Sequence, residues 1–206
     1  MRKLTVALAL FGSLVAGTAF ATDWEIDPAH STAAFTVKHM MVTNVRGEFG
    51  KVEGKIHSDD KDASKSTVDV TIDTSTIDTR MAKRDEHLKS PDFFDVQKFP
   101  TITFKSTKIQ KTGKDKLKIS GDLTMHGITK PVDLAVEMSD KEWKDSFPGS
   151  GKFHRGASAT AKVNRKDFDL KWNAALEGGG VVVGDDVAIQ VDVELVRAPD
   201  AAPAKG

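Results

Sequence analysis

Beyond about residue 22, apolar and polar side chains alternate with a period of two in block after block. In residues 67–73, Val68, Val70 and Ile72 fall on one face and Thr67, Asp69, Thr71 and Asp73 on the other, the signature of a half-buried strand. Residues 31–38 alternate in the same way, with Ala33, Phe35 and Val37 on the apolar side. Residues 46–54 resume the pattern with Gly47, Gly50 and Gly54, spaced as the bends of a curved sheet require. Later, Leu117, Ile119, Leu123 and Met125 share a face in which Gly121 occupies a gap. The His126-Gly127 turn then leads into Val132, Leu134, Val136 and Met138, so a hairpin is predicted. Ala157, Ala159, Ala161 and Val163 form an inward row of small side chains, which leaves room beside that wall. Val187, Ile189, Val191, Val193 and Leu195 make the last strand.

One stretch, residues 76–106, breaks the strand run. Ile77, Met81 and Leu88 lie four and seven apart, as on one helix face; Asp78 or Thr79 is the expected cap and Pro91 the stop. Two aromatic clusters follow, Phe93-Phe94 and Phe99-Pro100, before 101–105 alternates again. Short turns and the absence of βαβ spacing predict an all-β antiparallel barrel of about eight to ten strands with one short helix acting as a lid. A β-sandwich is the alternative. About eight strands enclose a lumen that side chains fill or one small ligand occupies.

Composition narrows the partners. The 206 residues carry 30 basic and 30 acidic side chains, so nothing favours nucleic acid. Met1-Arg2-Lys3, an apolar run from Leu4 to Ala16, and Ala19-Phe20-Ala21 have the three parts of a secretory signal. Cleavage after Ala21, a domain over 22–197, a disordered tail over 198–206 and a soluble periplasmic product are expected. With no cysteine, the exported domain folds without disulfides and is not a lipoprotein.

The chemistry of catalysis is hard to find. The six histidines never lie within four residues of one another, and no Gly-x-Ser-x-Gly, His-Glu-x-x-His or phosphate-cradling loop occurs, so neither an enzyme nor a metal site is predicted. Arg80, Arg84 and His87 share a helical face that could meet an anionic or carbonyl head group, with Lys38, His39 and Arg46 as a second place for it. The inward apolar positions near the central stretch give a candidate pocket: Phe35, Val37, Met40, Met41, Phe49, Phe93, Phe94, Phe104 and Trp172.

Several motifs resemble the YceI-like family of exported bacterial proteins. They are His30-Ser31 through Phe35-Thr36-Val37-Lys38-His39, Arg80 with Glu86-His87-Leu88-Lys89-Ser90, Asp92-Phe93-Phe94-Asp95, Lys98-Phe99-Pro100, Gly121 to Gly127 with Thr129 to Val132, and Asn164 to Phe168. The resemblance implies an extended lipocalin-like barrel holding a polyisoprenoid, such as a polyprenyl phosphate or an isoprenoid quinone, for carriage or storage. It implies no established catalysis. No cofactor is expected beyond that lipid as ligand, and transient contact with a membrane surface and a homodimer are left open as further partners. The alternatives are an exported stress or interaction protein using the barrel as a scaffold, and a scavenger of other hydrophobic molecules. Phe99 stands where the family often has tyrosine, so any contact from that hydroxyl is absent.

Overall fold

A computed structural model describes residues 21–59, 61–177 and 179–199; all but the last residue of the expected signal segment over 1–21, and all but the first two residues of the expected tail over 198–206, lie outside them. Twelve strands and one α-helix follow in order: β1 (Ala21–Ile26), β2 (Thr32–His39), β3 (Thr43–Phe49), β4 (Val52–Asp59), β5 (Thr67–Asp73), β6 (Ile77–Asp78), α1 (Ala82–Lys89), β7 (Thr101–Gly113), β8 (Lys116–Met125), β9 (Ile128–Met138), β10 (Trp143–Lys144), β11 (Phe153–Asn164) and β12 (Val183–Arg197). Every pairing is antiparallel.

Eight strands close a barrel in the order β1-β4-β5-β7-β8-β9-β11-β12, and β12 returns to β1. The β11–β12 seam is long and unbroken, from Phe153↔Arg197 to Asn164↔Asp186. On its other edge β12 takes two partners in succession. Leu195 and Val196 pair with β1, whereas Val183 to Asp192 pair with β2. A 3-10 turn at Pro28–His30, capped by the Asp27 side chain, separates those two strands and lets β2, β3 and β6 extend the wall. The β8–β9 hairpin follows the sequence reading, with Met125 opposite Ile128 around a His126-Gly127 turn whose two φ angles, 51° and 74°, are those of a type I′ connection.

The helix differs from its prediction. It begins at Ala82, with Met81 as an uncapped N-cap that is 53% exposed, and Ile77 belongs to β6. Arg80 adopts φ 63° while its N–H donates to the Asp78 carboxylate, which breaks the run the spacing suggested. Neither Asp78 nor Thr79 caps the helix; instead Asp85 in its first turn accepts from the Thr79 N–H and hydroxyl at 2.9 and 2.5 Å. Only Leu88 of the three apolar positions turns toward the interior from α1. Short 3-10 turns also occur at Ala63–Lys65, Thr74–Thr76 and Arg165–Phe168.

Two rings sit against glycines on the facing strands. A Cβ at Gly47 would lie 2.4 Å from the Phe35 ring, and one at Gly121 would lie 2.4 Å from the Phe104 ring. Each glycine makes space for an aromatic on the inner face, which explains the gap at position 121.

Candidate functional site

Alternation turns every second side chain of each barrel strand inward, and the inward set encloses a cavity of about 540 Å³. The β11 side contributes Ala157 and Ala159, so this wall is set back from the axis, whereas Val187, Ile189, Val191 and Val193 of β12 and Val132, Leu134 and Val136 of β9 supply branched bulk. That volume lies within the range of small-molecule sites, and its lining is overwhelmingly apolar.

The two ends differ. The polar lining residues Asp59, Lys61, Lys111, Asp115, Lys116 and Arg155 come from the β4–β5 connection, the β7–β8 turn and the start of β11, which register brings to one end of the barrel. Lys61, Lys111 and Lys116 are exposed, which makes this end the mouth. At the other end α1 and the residues after it form a plug. Phe94 meets Phe49 edge-on at 5.5 Å, Phe49 meets Phe35 at 5.9 Å, and Phe93 packs against Trp172 at 5.3 Å. Backbone bonds from Phe93 to Ser90, Phe94 to Leu88 and Val96 to Lys89 hold the phenylalanines in place.

Two arginines line the cavity, and they are differently committed. Arg165 is 4% exposed and donates to the carbonyls of Gly184 at 2.8 Å, Trp172 at 2.9 Å, Val183 at 3.2 Å and Leu170, with Asp185 at 3.3 Å. Burial pushes its pKa below the ordinary arginine value and Asp185 opposes that shift. It is a clip that fastens the connection between β11 and β12. Arg155, at the mouth, makes a single long bond to the Ser139 carbonyl at 3.3 Å, and its Nε is buried with no hydrogen-bond partner. Sequence reading missed both. Arg155 shares the phase of Ala157 and Ala159, which was the signal available for it.

Of the nine apolar residues singled out, Phe35, Val37, Phe49, Phe93, Phe94 and Phe104 line the cavity. Met40 and Met41 do not. They form the β2–β3 turn with φ 49° and 60°, and stand 46% and 58% exposed, because the turn ends the alternation that the strand pattern extended through them. Trp172 backs Phe93 from outside the lining. None of the six head-group residues lines the cavity. Arg84 spends its guanidinium on the Thr79 hydroxyl and carbonyl, both at 2.7 Å, and His87 pairs with Asp92 at 2.9 Å while its ring meets Phe93 and Trp172 edge-on. Arg80, Lys38 and Arg46 are exposed, and His39 sits half-buried at the end of β2.

An antiparallel wall closed around an apolar lumen, open at a charged rim and plugged by aromatics, defines a calyx-like β-barrel. The sequence profile of the YceI-like domain matches residues 24–195, and the chain belongs to that family. It is 38% identical over 175 residues to the YceI protein of Escherichia coli O157:H7, covering 83% of this chain and 88% of that one. Among solved structures, the Campylobacter jejuni YceI protein superposes with a TM-score of 0.64 at 31% identity, over 78% of this chain and 89% of the other. A polyisoprenoid binding domain from Saccharophagus degradans, implicated in plant cell wall breakdown, shares the fold with a TM-score of 0.60 at 13% identity, over 85% and 98% of the two chains. Among the described residues no helix is long and apolar enough to cross a membrane.

Proposed function

We propose that this chain is an exported, periplasmic carrier or store for a long-chain polyisoprenoid, acting by sequestration without catalysis or a required cofactor. The observation that carries this reading is the apolar cavity of about 540 Å³ running from an open rim to an aromatic plug. Each buried CH₂ contributes about 0.8 kcal/mol, so a prenyl tail binds through length alone and needs few polar contacts. The tail lies along the alanine wall with its end toward Phe93 and Phe94.

The head group then sits at the mouth. Arg155 has a buried Nε free to donate, and Lys61, Lys111 and Lys116 ring the opening, so an anionic head such as a phosphate is favoured over a quinone carbonyl. Native mass spectrometry of protein purified from its host, followed by organic extraction, tests the reading; a consistently empty barrel that also rejects added prenyl lipids refutes it. Arg155→Gln weakens a prenyl phosphate by roughly 1.5–3 kcal/mol and flattens its salt dependence, while a prenyl quinone changes by about 1 kcal/mol or less. Equal losses for both ligands place the head elsewhere.

A further inference from the structure

On the outer face of the barrel, opposite in phase to the cavity lining, Asp27, His30 and Glu194 converge. Each offers one ligand atom, and these atoms all lie within 4.8 Å of one another. From these residues we infer a binding site for a divalent transition ion of borderline hardness, Zn²⁺ being the type ion, at the point where β1 hands the edge of β12 to β2. The sequence gives no hint of it, because Glu194 is more than 160 residues from the other two and the spacing is not that of a local metal motif.

The ligands are held by backbone as well as by side chain. Asp27 caps the 3-10 turn through Oδ1, which accepts from the Ala29 N–H at 2.9 Å, leaving Oδ2 directed at His30 Nδ1 at 2.9 Å. The Asp27 N–H donates to the Glu194 carbonyl at 2.8 Å, and the Glu194 N–H donates to the hydroxyl of buried Ser31 at 3.1 Å. Pro28 fixes the turn between them. Two carboxylates and an imidazole are therefore presented from a frame that side-chain rotation alone adjusts.

Behind them stands a second layer. His154 Nδ1 lies 2.6 Å from Glu194 Oε1, and its Nε2 lies 3.4 Å from Asp145 Oδ2. The Asp145 side chain is 9% exposed, and its Oδ1 is buried with no hydrogen-bond partner. Three carboxylates thus gather around two imidazoles, so the cluster carries excess negative charge even with both histidines protonated. A dication offsets that charge, and His154 orients Glu194 in the way outer-layer partners orient metal-bound carboxylates. Bonds of about 2.0–2.2 Å are reached from these separations by small rotations, with a fourth position left for solvent. The imidazole turns the site away from Ca²⁺ and Mg²⁺, which favour all-oxygen sets.

The test is an isothermal titration of untagged, chelator-treated protein with ZnCl₂, with CaCl₂ as the control. One equivalent of Zn²⁺ binds and Ca²⁺ does not compete. His30→Ala and Glu194→Gln each weaken Zn²⁺ at least about tenfold, His154→Ala weakens it about 10–100-fold, and His57→Ala, at a different carboxylate pair, leaves it unchanged. Zn²⁺ added to the unaltered protein shifts the ring resonances of His30 and His154 and spares those of His57 and His87, a readout that needs no variant to fold. Absence of saturable binding up to about 1 mM, or a titration unchanged in folded His30→Ala, overturns the inference.

Discussion

Ala159→Trp separates a lipid-holding barrel from one whose interior is incidental space. Ala159 faces the lumen midway along β11, opposite Val136 of β9 and Val191 of β12, all of which line the cavity or its wall. An indole there takes room now open, so the cost to the fold stays below the 1–3 kcal/mol typical of overpacking a filled core. A tail that must pass this point loses contact area equal to what the indole covers, 150–250 Å² for a buried aromatic. At about 25 cal/mol per Å² that is roughly 4–6 kcal/mol. At 1.4 kcal/mol per decade it is on the order of 10³-fold or more in affinity, with about 100-fold as the floor if the tail bends around the ring. The assay is a fluorescence titration with prenyl alcohols of increasing length, Thr160→Trp on the exposed face of the same strand serving as control. Short prenols that stop before β11's midpoint keep their affinity and long ones lose it. Affinity for the long prenols within about threefold of the unaltered protein, in a folded variant, refutes a tail in the barrel's centre.

Other expected outcomes follow from the frame of the site. Arg165→Met strips four carbonyls of their buried donor and is expected to cost about 3–5 kcal/mol in denaturant unfolding; a loss under about 1 kcal/mol contradicts its role as a clip. Gly47→Ala drives a methyl into the Phe35 ring and into Thr79 Cγ2, 2.8 Å away, so a loss of about 1–3 kcal/mol in stability accompanies weaker prenol binding; unchanged thermal unfolding rules out that close approach. Asp73 accepts from the Ser75 hydroxyl and N–H, and these bonds hold its pKa below the usual 3.8. The folded state therefore gains stability from it above about pH 3.8 and loses that gain as pH falls through the depressed value, so urea midpoints of Asp73→Asn fall less steeply on acidification than those of the unaltered chain. Superimposable acid profiles would exclude that linkage.

The barrel was legible because its alternation is uninterrupted where it matters. Val68, Val70 and Ile72, the β8–β9 hairpin and the last strand all follow the period-two pattern into the structure. What misled the reading was apolar character without phase. Met40 and Met41 look like a continuation of Phe35 and Val37, but a type I′ turn places them outside, where methionine is an uncommon choice. Met81 fails for a related reason, since the left-handed Arg80 ends the preceding strand and the helix starts after it. The polar end was the harder part. A basic side chain within an alternating strand reads as solvent-facing, so Arg155 stays hidden although Ala157 and Ala159, two and four residues on, read as inward. Arg165, inside a polar run, gives no local sign that it will be buried against carbonyls of residues up to 19 positions away.

The clasp of this barrel joins the two ends of the described chain. The fifteen residues of β12 pair with β11 on one side and with β1 and β2 on the other, so the first strands to be synthesised wait for the last. No lumen exists in a nascent chain that stops short of residue 183, however well its hairpins form. Loop closure across nearly the whole sequence must come before any interior contact is rewarded, which places this fold among slow folders and keeps its apolar inner faces open to water until the end. A ligand of the lumen therefore has no site to occupy before closure. A fusion or tether at the C-terminal edge that peels β12 away would open the lumen while leaving the β7–β8–β9 meander intact.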